Sequence, residues 1–156
     1  MFKLHPQLQR DTMMLGRMSL CRVLLMDDAH YPWLILVPER PQIREIYELD
    51  ADDQQQLWRE SAFVARQMQS GLEADKINIA ALGNVVEQLH IHHIARYTND
   101  IAWPAPVFAY APASHYTDTY LDALLPRLKS LLCAAEDEHL HMHWRPARKP
   151  RHSPSD

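Results

Sequence analysis

The chain carries ten histidines, and six of them fall into two short segments. The first segment, residues 87–96, reads EQLHIHHIAR and contains His90, His92 and His93. Imidazole can act as a nucleophile, a proton carrier, a hydrogen-bond donor to phosphate or a metal ligand near neutral pH. The segment is therefore the first place to look for chemistry.

The spacing of these side chains divides them if the segment is a β-strand. Alternate residues of a strand share a face, which groups Gln88, His90 and His92 on one side. Arg96 falls on the same face, whereas His93 takes the apolar phase on the other face, where we expect a packed histidine. Two imidazoles and an amide on one strand face form a compact and rigid set that could attack phosphorus and stabilise phosphate oxygens.

The residues alone leave three interpretations of this set open. The histidine pair could be solvated or structural, it could bind a metal with distant partners, or it could be catalytic. No Asp, Glu or Cys lies at a tight matching spacing, so we expect no metal. The turn Gly83-Asn84 just upstream could bring backbone N–H groups to a phosphate, which makes Asn84 a candidate binding residue.

The second segment, EHLHMHW, alternates more regularly, with His139, His141 and His143. It follows a helical leucine stripe, lacks a Gly-rich lead-in and carries no strand signal. On a helix, residues i and i+2 do not share a face. We therefore interpret these histidines as a frayed helix end, with weak metal binding by His139 and His143 as the alternative.

Composition limits the class of protein. The chain has 156 residues, 47% of them hydrophobic, and a net charge of −4, which suits a single globular domain and does not favour a general nucleic-acid surface. Cys21 and Cys133 form neither a metal-type spacing nor a disulfide framework. With no signal-peptide core and no membrane-length apolar run, we expect a cytoplasmic location and no membrane partner.

Hydrophobic periodicity predicts the elements that hold the histidines. Strands are predicted at 19–26 and 33–38, a helix within 44–72, strands at 76–82 and 85–97, an ordered loop over 98–117 and a helix over 120–140. Tight turns between successive strands favour an antiparallel sheet covered by helices, which is an α+β domain. Pro126 predicts a kink or a later start of the second helix.

The C-terminal part carries no apolar stripe. We predict one domain over 1–140 and a basic, Pro-containing tail over 141–156 that is disordered. Such a tail is either solvated or able to bind RNA or an acidic partner.

The stretch LGNVVEQLHIHHIAR, residues 82–96, resembles the motif of the histidine triad (HIT) family, in which three histidines alternate with apolar residues. Alignment on Arg96 places His92 at the third motif position and His90 at the middle one. Gln88 then stands at the first, as in a bacterial branch of the family with a Gln-first triad.

The resemblance extends over roughly residues 8–135. Residues 20–40 are similar to the hairpin that opens HIT domains, and residues 102–108 are similar to the loop after the motif. The family implies an antiparallel sheet of about five strands with two main helices, usually paired into a homodimer.

The family also implies a reaction. The middle histidine, here His90, attacks the α-phosphate of a nucleotide conjugate and forms a nucleotidyl-histidine that water or another acceptor resolves. His92 would hydrogen-bond the phosphate and stabilise developing charge. Asp27 falls near the residue that binds ribose in the family.

Two further residues are candidates for substrate binding. Arg96 could meet a phosphate or, alternatively, a carboxylate of the protein. Trp103 could form a wall of the nucleotide pocket or simply contribute to packing.

Three departures from the family pattern weaken the site. Gln88 cannot act as an acid, Val85 stands where Ser or Thr usually contacts phosphate, and Trp33 falls about where a further family histidine sits. We therefore expect a hydrolase of the nucleotide phosphoramidase or dinucleoside polyphosphate hydrolase type, with reduced activity and no cofactor. The alternatives are a nucleotide-binding protein with little catalysis and a metal-binding protein that uses surface histidines.

Overall fold

A computed structural model describes residues 1–149 of the chain. In chain order, its helices and strands are α1 (Pro6–Asp11), β1 (Thr12–Arg17), β2 (Cys21–Met26), β3 (Trp33–Pro38), α2 (Ala51–Gly71), β4 (Lys76–Ala80), β5 (Ile91–Arg96), α3 (Asp118–Leu132) and β6 (His143–Trp144). Short 3-10 turns lie at Ile46–Glu48 and Glu138–Leu140. None of the helices in these residues is long and apolar enough to cross a bilayer.

The strands form one sheet in the order β4-β5-β3-β2-β1-β6, and every neighbouring pair is antiparallel. This confirms the predicted α+β fold, with six strands in place of about five. Strand β3 is buried along its whole length. A wholly apolar strand of this kind requires cover on both faces of the sheet.

The two faces of the sheet are covered differently. Leu34 and Leu36 of β3 join the core beneath α2 and α3. Trp33 and Ile35, which alternate with them, pack on the opposite face against Val107 of the loop that follows β5. Helices α2 and α3 therefore cover one face, and the long ordered loop covers the other together with Leu8 of α1. The candidate histidines have to be assigned to one of these two environments.

Helix α2 begins after Asp50, the N-cap, whose side chain accepts a hydrogen bond from the Asp53 N–H. Its buried Glu60 accepts hydrogen bonds from the backbone N–H groups of Leu20 and Cys21, each at 2.9 Å. Burial raises the pKa of Glu60 in spite of these bonds. The carboxyl group thereby ties the start of β2 to the helix across the core.

Two predicted boundaries near the site were wrong. The strand predicted over 85–97 begins only at Ile91, so Gln88 and His90 lie in the loop before β5. The helix predicted over 120–140 is α3, which ends at Leu132, and Pro126 lies inside it. Strand β1 was not predicted at all, because its sequence, TMMLGR, carries no clear alternation.

The second histidine segment is not a frayed helix. His143 and Trp144 form β6, which pairs with Arg17 and Gly16 of β1. Gly16 has a φ of +149°, and a side chain there would collide with the His143 carbonyl. The close approach of these two backbones is therefore possible only with glycine at position 16.

The domain also extends past the boundary predicted at residue 140. The Arg145 N–H donates to the Leu15 carbonyl at 2.8 Å, and the Ala147 N–H donates to the Met14 carbonyl at 2.9 Å. Backbone pairing, which needs no apolar stripe, therefore holds this part of the chain along β1. The remainder of the tail prediction concerns residues 150–156, which lie outside the described residues.

Candidate active site

His90 lies in the loop that leads into β5, and a backbone carbonyl fixes its ring. His90 Nδ1 is 2.7 Å from the Gln88 carbonyl oxygen, two residues earlier. A carbonyl can only accept, so Nδ1 carries the proton and donates it. In the neutral ring, Nε2 is then the nitrogen with the free lone pair.

The protonation state of His90 suits a nucleophile. Burial lowers its pKa, which the hydrogen bond to the Gln88 carbonyl partly opposes, and the nearby His5 lowers it slightly further. A lowered pKa keeps the imidazole neutral at neutral pH. The ring therefore carries an unprotonated Nε2, the form in which an imidazole can act as a nucleophile.

Gly83 lies directly against the His90 ring. A Cβ at position 83 would be 3.1 Å from His90 Cε1 and 2.5 Å from the Val86 carbonyl oxygen. The second distance is one that real side chains do not tolerate. Glycine at this point of the loop therefore allows the backbone to approach the imidazole closely.

An open pocket of about 450 Å³ lies beside His90. Its lining includes Arg44, Glu48, Asn84, Glu87, Gln88 and His90. Arg44 is the cation of this group, with a side chain 64% exposed and only a long 3.8 Å approach to Glu48. Sequence reasoning missed Arg44, because it lies in an irregular segment that carries no recognisable motif.

His92 is held at both ring nitrogens. The Trp33 indole Nε1–H donates to Nδ1 at 3.0 Å, and Nε2 lies 3.0 Å from the Leu82 carbonyl oxygen. Indole only donates and a carbonyl only accepts, so His92 is the Nε2–H tautomer. Burial lowers its pKa to about 4, so the ring is neutral.

This arrangement bears on two expectations from the sequence. Contact between His92 and a phosphate would require its N–H to leave the Leu82 carbonyl. The replacement of a family histidine by Trp33 was expected to remove a polar group from the site. That expectation was wrong, because the indole supplies a hydrogen-bond donor to His92.

His93 lies on the opposite face of β5, as the alternation predicted. It is fully buried, with Nε2 2.7 Å from the Ser61 hydroxyl of α2 and Nδ1 3.1 Å from the Ile91 carbonyl. Burial lowers its pKa to about 4. The prediction of a packed histidine is confirmed.

Gln88 does not point its amide at His90. Its Nε2 donates to the Lys3 carbonyl at 2.9 Å, and its Oε1 accepts from the His5 N–H at 2.9 Å. The first motif position therefore binds the N-terminal segment of the chain. The proximity of His5 to the pocket was not foreseen, since 83 residues separate it from Gln88.

Arg96 was proposed as a phosphate or carboxylate ligand, and the structure places it on a carboxylate. The side chain is 1% exposed, and its Nε and Nη2 donate to Asp100 at 2.8 and 3.1 Å. Nη1 donates to Asn78 on the neighbouring strand at 2.8 Å. Burial alone would raise the pKa of Asp100, but the bonds from Arg96 and from backbone N–H groups lower it.

Trp103 belongs to the same structural cluster. Its ring lies 5.6 Å from the Arg96 guanidinium carbon, a cation–π distance. The aromatic residue of this loop that contacts His92 is Phe108, whose ring is 4.9 Å from His92 and 5.6 Å from Trp33. Trp103 and Phe108 both belong to the loop after β5, and sequence spacing did not show which of them would lie near His92.

Asp27 also has a structural position. Its carboxylate accepts from the Tyr116 N–H at 2.9 Å and lies 3.0 Å from His115 Nδ1. It thereby connects the end of β2 to the segment before α3, and the described lining of the pocket beside His90 does not include it.

Within residues 1–149, no three His, Cys, Asp or Glu side chains are placed to hold a metal ion.

The fold and these residues define the class of protein. The HIT domain family model matches residues 7–99. The chain therefore belongs to the histidine triad family. No curated protein matches the chain.

Three solved structures are similar over most of their length. A histidine triad protein from Marinobacter aquaeolei VT8 is 48% identical, with a TM-score of 0.83, 85% of this chain covered and 96% of that one. One from Bradyrhizobium japonicum is 44% identical, with a TM-score of 0.80 and coverages of 82% and 96%. One from Sinorhizobium meliloti 1021 is 41% identical, with a TM-score of 0.81 and coverages of 84% and 97%.

Proposed function

We propose that the protein is a nucleotidyl hydrolase or transferase that acts on a nucleotide conjugate through His90. The observation that carries the proposal is the fixed tautomer of His90, with Nδ1–H held by the Gln88 carbonyl and Nε2 unprotonated. A neutral imidazole nitrogen held in this way, beside a pocket, has what attack on phosphorus requires.

The proposed reaction has two displacements at the same phosphorus atom. His90 Nε2 forms a bond to the α-phosphorus, and the bond to the leaving group breaks with its electron pair. Water then attacks the phosphorus of the nucleotidyl-histidine, the N–P bond breaks with its electron pair returning to Nε2, and the proton that water loses passes to solvent. Neutral imidazole and the nucleoside monophosphate remain. Arg44, across the pocket, supplies positive charge for the phosphate oxygens.

Gln88, at the first motif position, supplies no acid to protonate the leaving group. The Gln88 amide binds the N-terminal segment through both its oxygen and its nitrogen. A neutral amide is also too weak an acid to protonate a leaving group. We therefore propose that the enzyme favours leaving groups that are stable as anions. General acid catalysis is typically worth about 10²–10⁴-fold, which sets the scale of the reduction for poor leaving groups.

A weak enzyme that mainly binds nucleotides is the second candidate. The hydrogen bond from His92 Nε2–H to the Leu82 carbonyl favours it, because this donor is not available to phosphate until that bond breaks. In this case, nucleotide would bind beside His90 with little turnover.

We propose that the functional unit is a homodimer. Strand β4 is an edge strand, and Ile79 on it and Trp58 on α2 are 47% and 66% exposed. An apolar groove of about 190 Å³ runs between them. Exposed edge strands are places where another chain pairs, so a second copy would cover this surface.

A cytoplasmic location also stays a prediction.

Turnover and binding measured together separate the two functions. The wild-type protein is mixed with the p-nitrophenyl ester of AMP, whose product is coloured, and AMP binding is measured by calorimetry. Multiple turnovers with release of AMP are expected. Binding of AMP without any turnover would favour the second candidate, and the absence of both would overturn both.

A further inference from the structure

The N-terminal segment, residues 1–5, lies against the pocket because of Gln88. The side-chain amide makes two hydrogen bonds to it, one with the Lys3 carbonyl and one with the His5 N–H. A carbonyl accepts and an N–H donates, so chemistry fixes which end of the amide is oxygen and which is nitrogen. Gln88 thus binds the segment by the same donor–acceptor pairing that a neighbouring strand would use.

The ring of His5 has a defined tautomer. His5 is the N-cap of α1, and its Nδ1 accepts from the Gln7 N–H at 3.1 Å. Because a backbone N–H only donates, Nδ1 is unprotonated and Nε2 carries the hydrogen. Among residues 1–149, no hydrogen bond to Nε2 is present. His5 therefore presents an Nε2–H donor of fixed orientation.

This donor lies beside the candidate active site. His5 lines an open cavity of about 780 Å³ together with Arg44, Asn84, Glu87 and Gln88. The last four also line the pocket of His90, so the two cavities are continuous. An electrostatic interaction with His5 lowers the pKa of His90, which reflects the same proximity.

We propose that His5 is a substrate-binding residue, whose Nε2–H donates to a non-bridging phosphate oxygen of the substrate, and that Gln88 is the positioning residue that holds it there. This inference rests on the proposed function, since it assumes a phosphate beside His90. His5 would share that phosphate with Arg44.

The proposal explains why an amide can occupy the first motif position. An amide offers a donor and an acceptor side by side, which matches the Lys3 carbonyl and the His5 N–H. A histidine ring at position 88 could not make both bonds with the same backbone geometry. The imidazole that is absent from position 88 would be replaced, for hydrogen bonding only, by that of His5.

The test compares His5→Asn with wild type. Asparagine is a good N-cap, so it keeps an acceptor for the Gln7 N–H but removes the imidazole donor. Affinity for AMP, measured by calorimetry, should fall about tenfold, the scale of one hydrogen bond to a charged group. His141→Asn, at an exposed histidine far along the chain, is the matched control and should bind as wild type does.

Gln88→Met tests the positioning role. It removes both hydrogen bonds to the N-terminal segment and adds no charge to the pocket, which would by itself repel AMP. AMP affinity should again fall about tenfold, and the double variant should bind no more weakly than His5→Asn alone, because both changes remove one contact. The ring-nitrogen NMR signal of His5 should also shift when AMP is added to wild type.

The outcomes distinguish a failure of the His5 proposal from a failure of the catalytic proposal. Unchanged AMP affinity in His5→Asn would overturn the role of His5, even if the enzyme turns over as proposed. Additive losses in the double variant would overturn the link through Gln88. Loss of AMP affinity in His5→Asn, in a protein without turnover, would support the binding role while the catalytic proposal fails.

Discussion

The two histidine segments differ in burial and in hydrogen bonding, and the more regular pattern belongs to the more exposed segment. His139, His141 and His143 alternate without a break, yet they lie on a short turn and an edge strand at the surface. His90 and His92 belong to an irregular run but are each only 5% exposed, and each has a fixed tautomer. What distinguishes the first segment is its burial and its carbonyl and indole partners, not its pattern.

The sharpest test of this contrast is a pair of alanine variants. His90→Ala should lower kcat/KM on the p-nitrophenyl ester of AMP by at least about 10³-fold, because it removes the nucleophile. His141→Ala should leave kcat/KM within a factor of two. Equal losses in the two variants would contradict the contrast, and circular dichroism checks that both proteins are folded.

Acid should destabilise the protein through the first segment. Burial lowers the pKa values of His92 and His93 to about 4, so the unfolded chain, with ordinary values near 6.5, binds more protons between these limits. This contribution to stability is complete above pH 6.5 and is lost as the pH falls towards 4.

By pH 5, the loss should be up to about 2 kcal/mol for each of the two residues. Urea unfolding at pH 8, 7, 6 and 5 measures it. Little change is expected from pH 8 to 7, and a steady decrease from pH 6.5 downwards. A free energy of unfolding that stays constant to pH 5 would show that the histidines are not buried as neutral rings.

Gly83→Ala should impair the site without removing any functional group. The added methyl group meets the Val86 carbonyl and the His90 ring, so the loop has to move away from the imidazole. We expect kcat/KM to fall about 100-fold, in line with the sensitivity of catalysis to small displacements. Gly16→Ala, at the second segment, is the comparison: it should lower the Tm by displacing β6, with a smaller effect on kcat/KM.

Trp33→Phe should have a smaller effect. It keeps an aromatic ring against Phe108 but removes the N–H that donates to His92. A buried acceptor left without a partner costs about 1–3 kcal/mol of stability. Urea unfolding at pH 7 should show this loss. If stability were unchanged, the indole would not be fixing the tautomer of His92.

The sequence predicted the parts of the site that depend on local pattern. The alternation placed His93 on the opposite face from His92, where its ring contacts the Ser61 hydroxyl of α2. The motif alignment indicated His90 as the candidate nucleophile, and that role stays a proposal.

The parts that were missed depend on distant pairing. A two-residue strand such as β6 has no periodicity, and only its partner β1 defines it. The residues next to Gln88 in the sequence do not indicate that its side chain binds the N-terminal segment. Likewise, Arg96 binds Asp100 in the following loop and Asn78 on the adjacent strand. The sequence alone could not tell whether its partner would be a carboxylate of the protein or a phosphate of the substrate.

Direct detection of the covalent intermediate tests the central claim most directly. The protein would be mixed with the p-nitrophenyl ester of AMP, quenched in alkali, where phosphoramidate bonds survive, and analysed by intact mass and peptide mapping. The account predicts one adenylyl group on the peptide that contains His90, present in wild type and absent from His90→Ala. Turnover of the ester with no adduct at any time, or an adduct that persists in His90→Ala, would contradict it.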